Sequence, residues 1–331
     1  MKVFVTTGCG NIIQGGADMW TNNFIELVLP HLQDYYILVD SKRPVGWEDT
    51  YKLEKNNLLH FHFHNPRKTE EILEKCDEIH FLHANYHKRT HLWKWKEKWG
   101  TIFVQAYLPD MLQYGDSLRQ FNTNVVEEDM DYLLTHCKKR IWIGNNPSRI
   151  FNKFVTETIT NFYEFKQNKP LNPINNKIGF TSRIESRKNV HYLDGLKGFV
   201  LSGTYDWKNI LGTNKFDFKK CRFYPWSIDI LNQFMNLDWS ISHSSHTNEP
   251  FGYSIFQAVD WGKLPILDED WGDVEYRYRA GSKKEFKEMY ELILSDKPEV
   301  HEKEFNRLKK YLKKFDNKKE WVEKISVLFN S

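Results

Sequence analysis

The sequence predicts an α/β protein made of two doubly wound domains in tandem, and three observations carry that prediction. Short apolar runs alternate with helical patterns through the first half, a polar segment without apolar period interrupts them near residue 170, and the alternation then restarts. A short apolar run bounded by turn residues is how a strand buried on both faces reads, and strands alternating with helices build parallel sheets. At 331 residues the chain is long for one core and suits two domains of ordinary size.

In the first domain, assigned to residues 1–165, strands are expected at 2–6, 36–39, 58–63, 78–83, 101–105 and 140–143. Helices are expected at 17–31, 68–75, 91–98 and 127–137. The segment from Lys166 to Lys177, rich in Asn, Pro and Lys, reads as a linker. The second domain, 177–310, has expected strands at 177–181, 198–202, 221–223, 239–242 and 264–267. Its helices are expected from 190, over 227–236 and over 254–261, followed by helical periodicity over 283–296 and 302–329 with Lys and Glu on the polar face. Residues 311–331 are read as a C-terminal helix that packs back on the first domain. Open parallel sheets bind ligands at the carboxyl ends of their strands, so the loops that follow the strands are where chemistry is sought.

Composition narrows the class. With 47 basic and 44 acidic residues the net charge is +3, a mixed surface that does not by itself point to nucleic acid. Cys9, Cys76, Cys137 and Cys221 are far apart and follow no zinc or redox spacing, which suits free thiols in a reducing compartment. The N-terminus reads as a first strand rather than a signal peptide, and no apolar run approaches the length that spans a membrane. A cytoplasmic protein without a transmembrane segment is expected.

Three strand-end loops carry the chemistry. The first runs from Gly8 to Asp18, with glycines at 8, 10, 15 and 16. Glycine lets backbone amides approach a diphosphate or a sugar, but the spacing is not the dinucleotide fingerprint, and a merely flexible loop fits equally well. The second, Thr181 to Asn189, places Arg183, Arg187 and Lys188 at the mouth of a strand. Arg can fork two phosphate oxygens and Lys acts as a point charge, although a basic loop is often just a solvated one. The third is Glu249-Pro-Phe251-Gly252-Tyr253-Ser254-Ile-Phe-Gln257, a turn that feeds a helix starting near Ser254. A helix start is an anion site, and a carboxylate before it with an amide one to two turns inside could hold hydroxyls on either side of a bound diphosphate.

These motifs resemble the retaining GT-B glycosyltransferases, whose signature is a Glu, seven residues and a second Glu; Gln257 stands here for the second. Gly15-Gly16-Ala17 is similar to the Gly-Gly-Ala that opens the first helix in many of them, and Arg183 and Lys188 match their Arg-Lys pair. The resemblance implies a GT-B fold, two Rossmann-like domains facing across a cleft, and transfer of a sugar from a nucleotide-diphosphate sugar, UDP-sugar being the expected donor. It further implies Arg183, Lys188 and Glu249 as catalytic residues. Gly15, Gly16, Phe251, Gly252, Tyr253, Ser254 and Gln257 would then bind the donor. Neither a metal nor a resident cofactor is expected.

On the acceptor side, such enzymes often carry a His or Asp at a strand end near the reacting sugar, and Ala106 and Tyr107 occupy that region here. His83, Asn85, Tyr107 and Asp110 are the candidates, each equally readable as a packed or capping residue. Through the Arg183-to-Lys188 spacing, the strand ending at Gln105 and the small size of the chain, similarity extends more weakly to phage DNA glucosyltransferases that modify hydroxymethylated cytosine. From His87 to Trp99, Lys88, Arg89, Lys94, Lys96 and Lys98 interleave with Trp93 and Trp95. This pattern suits contacts to DNA phosphates and an extruded base. It equally suits an amphipathic helix with core Trp residues, or a membrane-surface helix of an enzyme acting on envelope glycans such as lipopolysaccharide.

Two acidic or imidazole clusters imitate metal sites. Asp268-Glu-Asp270 resembles the Asp-X-Asp of a different transferase fold, but reads better as an acidic surface loop. His60, His62 and His64 would share one face of a strand, with no further ligand at recognisable spacing.

Overall fold

The computed structural model describes residues 1–6, 16–39, 58–60, 66–82, 90–104, 135–144, 156–182, 184, 188–202, 220–225, 228–246, 249 and 251–330. The chain divides into two compact units, one chiefly of residues 1–161 joined by Lys319–Ser331, the other of Phe162–Lys318.

Among the described residues the first unit holds seven parallel strands: β1 (Lys2–Thr6), β2 (Tyr35–Val39), β3 (Leu58–His60), β4 (Glu78–Phe81), β5 (Trp99–Val104), β6 (Lys139–Trp142) and β7 (Glu157–Thr158). Their spatial order is β3-β2-β1-β4-β5-β6-β7, so the order reverses between β1 and β4, the mark of a doubly wound sheet. Both faces are covered. Val3, Val5, Phe81, Trp99 and Ile102 belong to one buried cluster. Phe4, pointing the other way, packs on Phe24 and Phe329 with ring centroids 5.1 and 5.0 Å apart.

Helix α1 (Gly16–Asn23) does not continue to residue 31. It passes into a π turn over Phe24–Val28 and a 3-10 turn over Leu29–His31. Pro30, lacking an N–H, removes the bond that a continuous α-helix would need. Helix α2 (Pro66–Lys75) is regular, whereas Thr90–Lys98 forms 3-10 turns with a kink at Trp95.

Among the described residues the second unit holds five parallel strands: β8 (Ile178–Thr181), β9 (Gly198–Ser202), β10 (Cys221–Pro225), β11 (Ile241–Ser244) and β12 (Leu264–Leu267). The order β10-β9-β8-β11-β12 reverses between β8 and β11. Helices α3 (Ile228–Met235), α4 (Tyr253–Asp260), α5 (Lys283–Ser295) and α6 (Pro298–Leu312) accompany the sheet. Gly179 is required inside β8, because a Cβ there would lie 2.3 Å from the Trp239 indole.

The segment 166–177 has no helix or strand, yet it is bound to this unit rather than loose. Asp260, at the end of α4, accepts the backbone N–H groups of Lys166, Gln167 and Asn168 at 3.2, 3.0 and 2.6 Å. Asn172 N–H donates to the Gly262 carbonyl at 2.8 Å, and Asn175 N–H to Ser240 Oγ at 2.8 Å.

The last helix, α7 (Lys318–Asn330), supplies buried aromatics to the first unit. Trp321 packs edge-on against Trp20 at 5.1 Å, and the Lys2 ammonium donates to the Phe329 carbonyl. No described helix is long and apolar enough to cross a membrane.

Candidate active site

In a doubly wound sheet the ligand crevice opens where the strand order reverses, because the loops leaving the two flanking strands diverge. In the second unit those strands are β8 and β11. The loop after β8 carries Lys188, and the loop after β11 carries Glu249. Lys188 Nζ and Glu249 Oε2 form an ion pair there, with side chains 9% and 15% exposed. Both side chains are thus largely enclosed.

The supports around the pair are polar and buried. Asn189 adopts a left-handed backbone at φ 53°, which turns the chain from the Lys188 loop into a 3-10 turn at Val190–Leu193. Its side-chain amide donates to the Ser245 carbonyl at 3.0 Å. Its own carbonyl accepts a hydrogen bond from His243 Nε2 at 2.9 Å. Because a carbonyl can only accept, Nε2 carries the proton of a neutral imidazole. Burial holds His243 well below the usual histidine range, in keeping with that form. The Tyr192 ring stacks on it at 5.8 Å. His246, also buried, brings Nδ1 to 3.6 Å from the same Glu249 oxygen that Lys188 holds.

From Glu249 the chain turns into α4 through Gly252, at φ 79° and ψ 59°. Only glycine takes that turn at low cost, and space forbids anything larger: a Cβ would lie 2.8 Å from Ile255 Cδ1 and 3.1 Å from Glu249 Cγ. Gly252 O accepts the Ile255 N–H at 2.8 Å. The helix begins at Tyr253, one residue before the expected Ser254. Phe251 anchors the turn by stacking on Phe256 at 4.4 Å. Within α4 every residue is buried except Ser254 and Gln257, which are half-exposed and lie three apart, on one face. Of the residues that the sequence assigns to a donor here, Ser254 and Gln257 lie on that half-exposed face, whereas Phe251, Gly252 and Tyr253 are buried.

Other expected residues fare differently. Gly16 opens α1. Gly15, Arg183, His83, Asn85, Tyr107, Asp110, Lys88 and Arg89 lie outside the described residues, as do His62 and His64. Trp95 is 4% exposed and belongs to the core of the first unit, which removes it as a platform for a base. Trp93 packs half-buried against the same core. Lys94 pairs with Glu74 at 3.0 Å, and Lys98 donates to the carbonyls of Leu73 and Glu74 at the end of α2, where a cation complements the helix dipole. Lys96 is exposed. Glu269 and Asp270 are exposed in a turn as expected, but Asp268 is buried at the carboxyl end of β12, and burial pushes its carboxyl up to about 7. Among the described residues no group of three or more His, Cys, Asp or Glu side chains is arranged to hold a metal ion. Asn189, His243 and His246 were not singled out from the sequence; the signal available was the polar run Ser242-His-Ser-Ser-His246 at the end of an otherwise apolar strand.

No protein-family profile matches the chain, and no curated protein matches its sequence. Solved structures do match. Sucrose-phosphate synthase from Thermosynechococcus elongatus is 12% identical at a TM-score of 0.73, covering 99% of this chain and 98% of its own. WaaG, a glycosyltransferase involved in lipopolysaccharide biosynthesis, is 12% identical at 0.64 with full coverage of both chains. An alpha-glucosyltransferase in complex with UDP and a 13-mer DNA containing an HMU base is 9% identical at 0.60, again over both whole chains. Identities this low speak to architecture alone. The two parallel sheets and their helices have the GT-B glycosyltransferase fold.

Proposed function

We propose that the protein is a retaining glycosyltransferase that moves a sugar from a nucleotide-diphosphate sugar, a UDP-sugar by preference, to the hydroxyl of a hydroxymethylated base in DNA. The observation that carries the reading is the Lys188–Glu249 pair at the strand-order reversal of the second unit, next to the start of α4. The Lys188 ammonium would leave Glu249 for the donor diphosphate, joined by Arg183 and by the first amides of α4, which have no intrahelical acceptor. Glu249, released, would accept hydrogen bonds from sugar hydroxyls. Ser254 and Gln257, on the open face of α4, would meet the nucleotide.

In the transfer the bond from the anomeric carbon to the diphosphate oxygen breaks, and a bond from the acceptor oxygen forms on the same face. The acceptor proton goes to the departing phosphate, so no side-chain base is required. Negative charge grows on the diphosphate as the bond breaks, and cations placed beside it stabilise the transition state more than the ground state. Cationic side chains meet that need without a metal, so turnover should persist in EDTA; complete loss restored by Mn2+ would overturn that part.

A second reading is transfer to lipopolysaccharide or another envelope glycan, favoured by the likeness to WaaG. One experiment addresses both. The protein is incubated with a panel of nucleotide-sugars and either hydroxymethylated DNA or lipid-linked glycans, and release of nucleoside diphosphate and mass gain of the acceptor are followed. Transfer to the modified base with retained anomeric configuration is expected. Transfer to the glycan alone would replace the first acceptor with the second, and no diphosphate release with any donor would overturn the enzyme.

A further inference from the structure

Lysines crowd one surface of the second unit around residues 164–169. Lys309 Nζ donates to the carbonyls of Asn168 and Lys169 at 3.2 and 2.8 Å. Lys313, one helical turn on, stands 6.0 Å from the Phe165 ring. Lys166 and Lys318 face the same Glu164 oxygen at 4.0 and 3.7 Å, and Lys169 lies 3.9 Å from the Trp261 ring. The ion pairs of this group thus converge on one carboxylate. Asp260, beneath it, is buried and already bound to the backbone of residues 166–168.

Like charges held this close repel. Lys309 binds its proton less tightly than usual, first through burial and then through the field of Lys313. A chain of phosphates would relieve that repulsion along its whole length, whereas a single small anion would relieve it at one point. A membrane surface fits less well, since interfacial helices need an apolar face to bury. Among the described residues the exposed large hydrophobic side chains are Leu294 and Val327, and neither belongs to the group.

We propose that the face formed by Lys166, Lys169, Lys309, Lys313 and Lys318 docks the phosphate backbone of duplex DNA, holding the acceptor without reading its sequence. This rests on the DNA-acceptor reading. Lys166 and Lys313 are exposed and outside the donor site, so Lys166→Glu with Lys313→Glu should fold and release nucleoside diphosphate from the donor as the wild type does.

The test is fluorescence anisotropy of the full chain with a labelled, unmodified duplex of about 20 base pairs, titrated between about 50 and 200 mM salt. Wild-type affinity should fall steeply with salt, and the double variant should lose about two units of slope in log K against log salt. An unchanged slope in the variant, with wild-type binding intact, would remove this surface and leave the DNA acceptor standing. No duplex binding by the wild type at any salt would remove both. Binding to anionic phosphatidylglycerol vesicles but not to DNA, lost in the variant, would make the face a membrane contact and overturn the proposal.

Discussion

Lys188 and Glu249, sixty-one residues apart in sequence, meet as an ion pair across the point where the second sheet reverses its strand order. The pair fixes the two loops against each other before any ligand arrives. It also stores two groups of opposite charge that a sugar diphosphate would use separately, the cation by phosphate and the carboxylate by hydroxyls.

Replacing Lys188 by Ala should therefore lower the rate of donor turnover more than donor affinity. Loss of one charge-assisted contact to the leaving diphosphate costs about 2–4 kcal/mol, on the order of a hundred-fold or more in rate. Glu249→Gln should instead impair sugar positioning, because an amide replaces only part of what a carboxylate accepts. Release of nucleoside diphosphate across a range of donor concentrations measures both, and near-wild-type turnover in Lys188→Ala would contradict the assignment.

The C-terminal helix should be needed for the stability of the first unit. Phe329 contacts Phe4, Phe24 and Phe103 and is 2% exposed, so its side chain fills the space over β1 and β5. Phe329→Ala should cost about 3–5 kcal/mol. Urea unfolding would register this as a lower midpoint for the transition of that unit; a change under about 1 kcal/mol would mean that the helix does not complete this core.

Much of this architecture was legible beforehand because buried parallel strands leave an unmistakable pattern. Lys2–Thr6 and Leu264–Leu267 are strands where their apolar runs fall. What escaped was decided by tertiary contact. The 166–177 segment reads as a tether because it lacks periodicity, yet the acid that fastens it, Asp260, sits at the end of an apolar-looking helix. Asp268 reads as a surface acid until β12 is seen to end there beneath other residues. Lys188 and Glu249 were each visible, but their pairing depends on β8 and β11 being neighbours, which the order of strands in sequence does not state. For Trp95 the pattern left core and platform equally open, and packing against the first sheet decided for core.

Stability should fall in acid through His80. This residue is buried on β4, where Nδ1 accepts the Thr101 N–H at 3.0 Å and Gly100 leaves room for the ring. Burial lowers its pKa from 6.5 to about 3, opposed by nearby Glu78. Between those values the unfolded chain binds a proton that the folded chain refuses, so the contribution is whole above pH 6.5 and is lost as pH falls toward 3. The slope should approach about 1.4 kcal/mol per pH unit from this group. Denaturant midpoints measured across that range should depend less on pH in His80→Gln than in the wild type; an identical dependence would mean that His80 is protonated in the fold.

Gln257 offers the finest distinction. It shares the half-exposed face of α4 with Ser254, one turn inside the helix whose start follows the Gly252 bend. A carboxylate at this position can only accept hydrogen bonds from ribose hydroxyls, whereas the amide of Gln257 both donates and accepts. Ribose recognition should thus survive the change of residue type, and Gln257→Ala should raise the donor KM more than it lowers kcat. That split follows from a contact made equally in the ground state and the transition state, which affects binding without affecting the chemical step. Steady-state kinetics with a varied nucleotide-sugar measure it. If Gln257→Ala instead lost turnover at unchanged KM, the side chain would act at the reacting carbon, and the donor would have to lie along α4 in the opposite direction from the one argued.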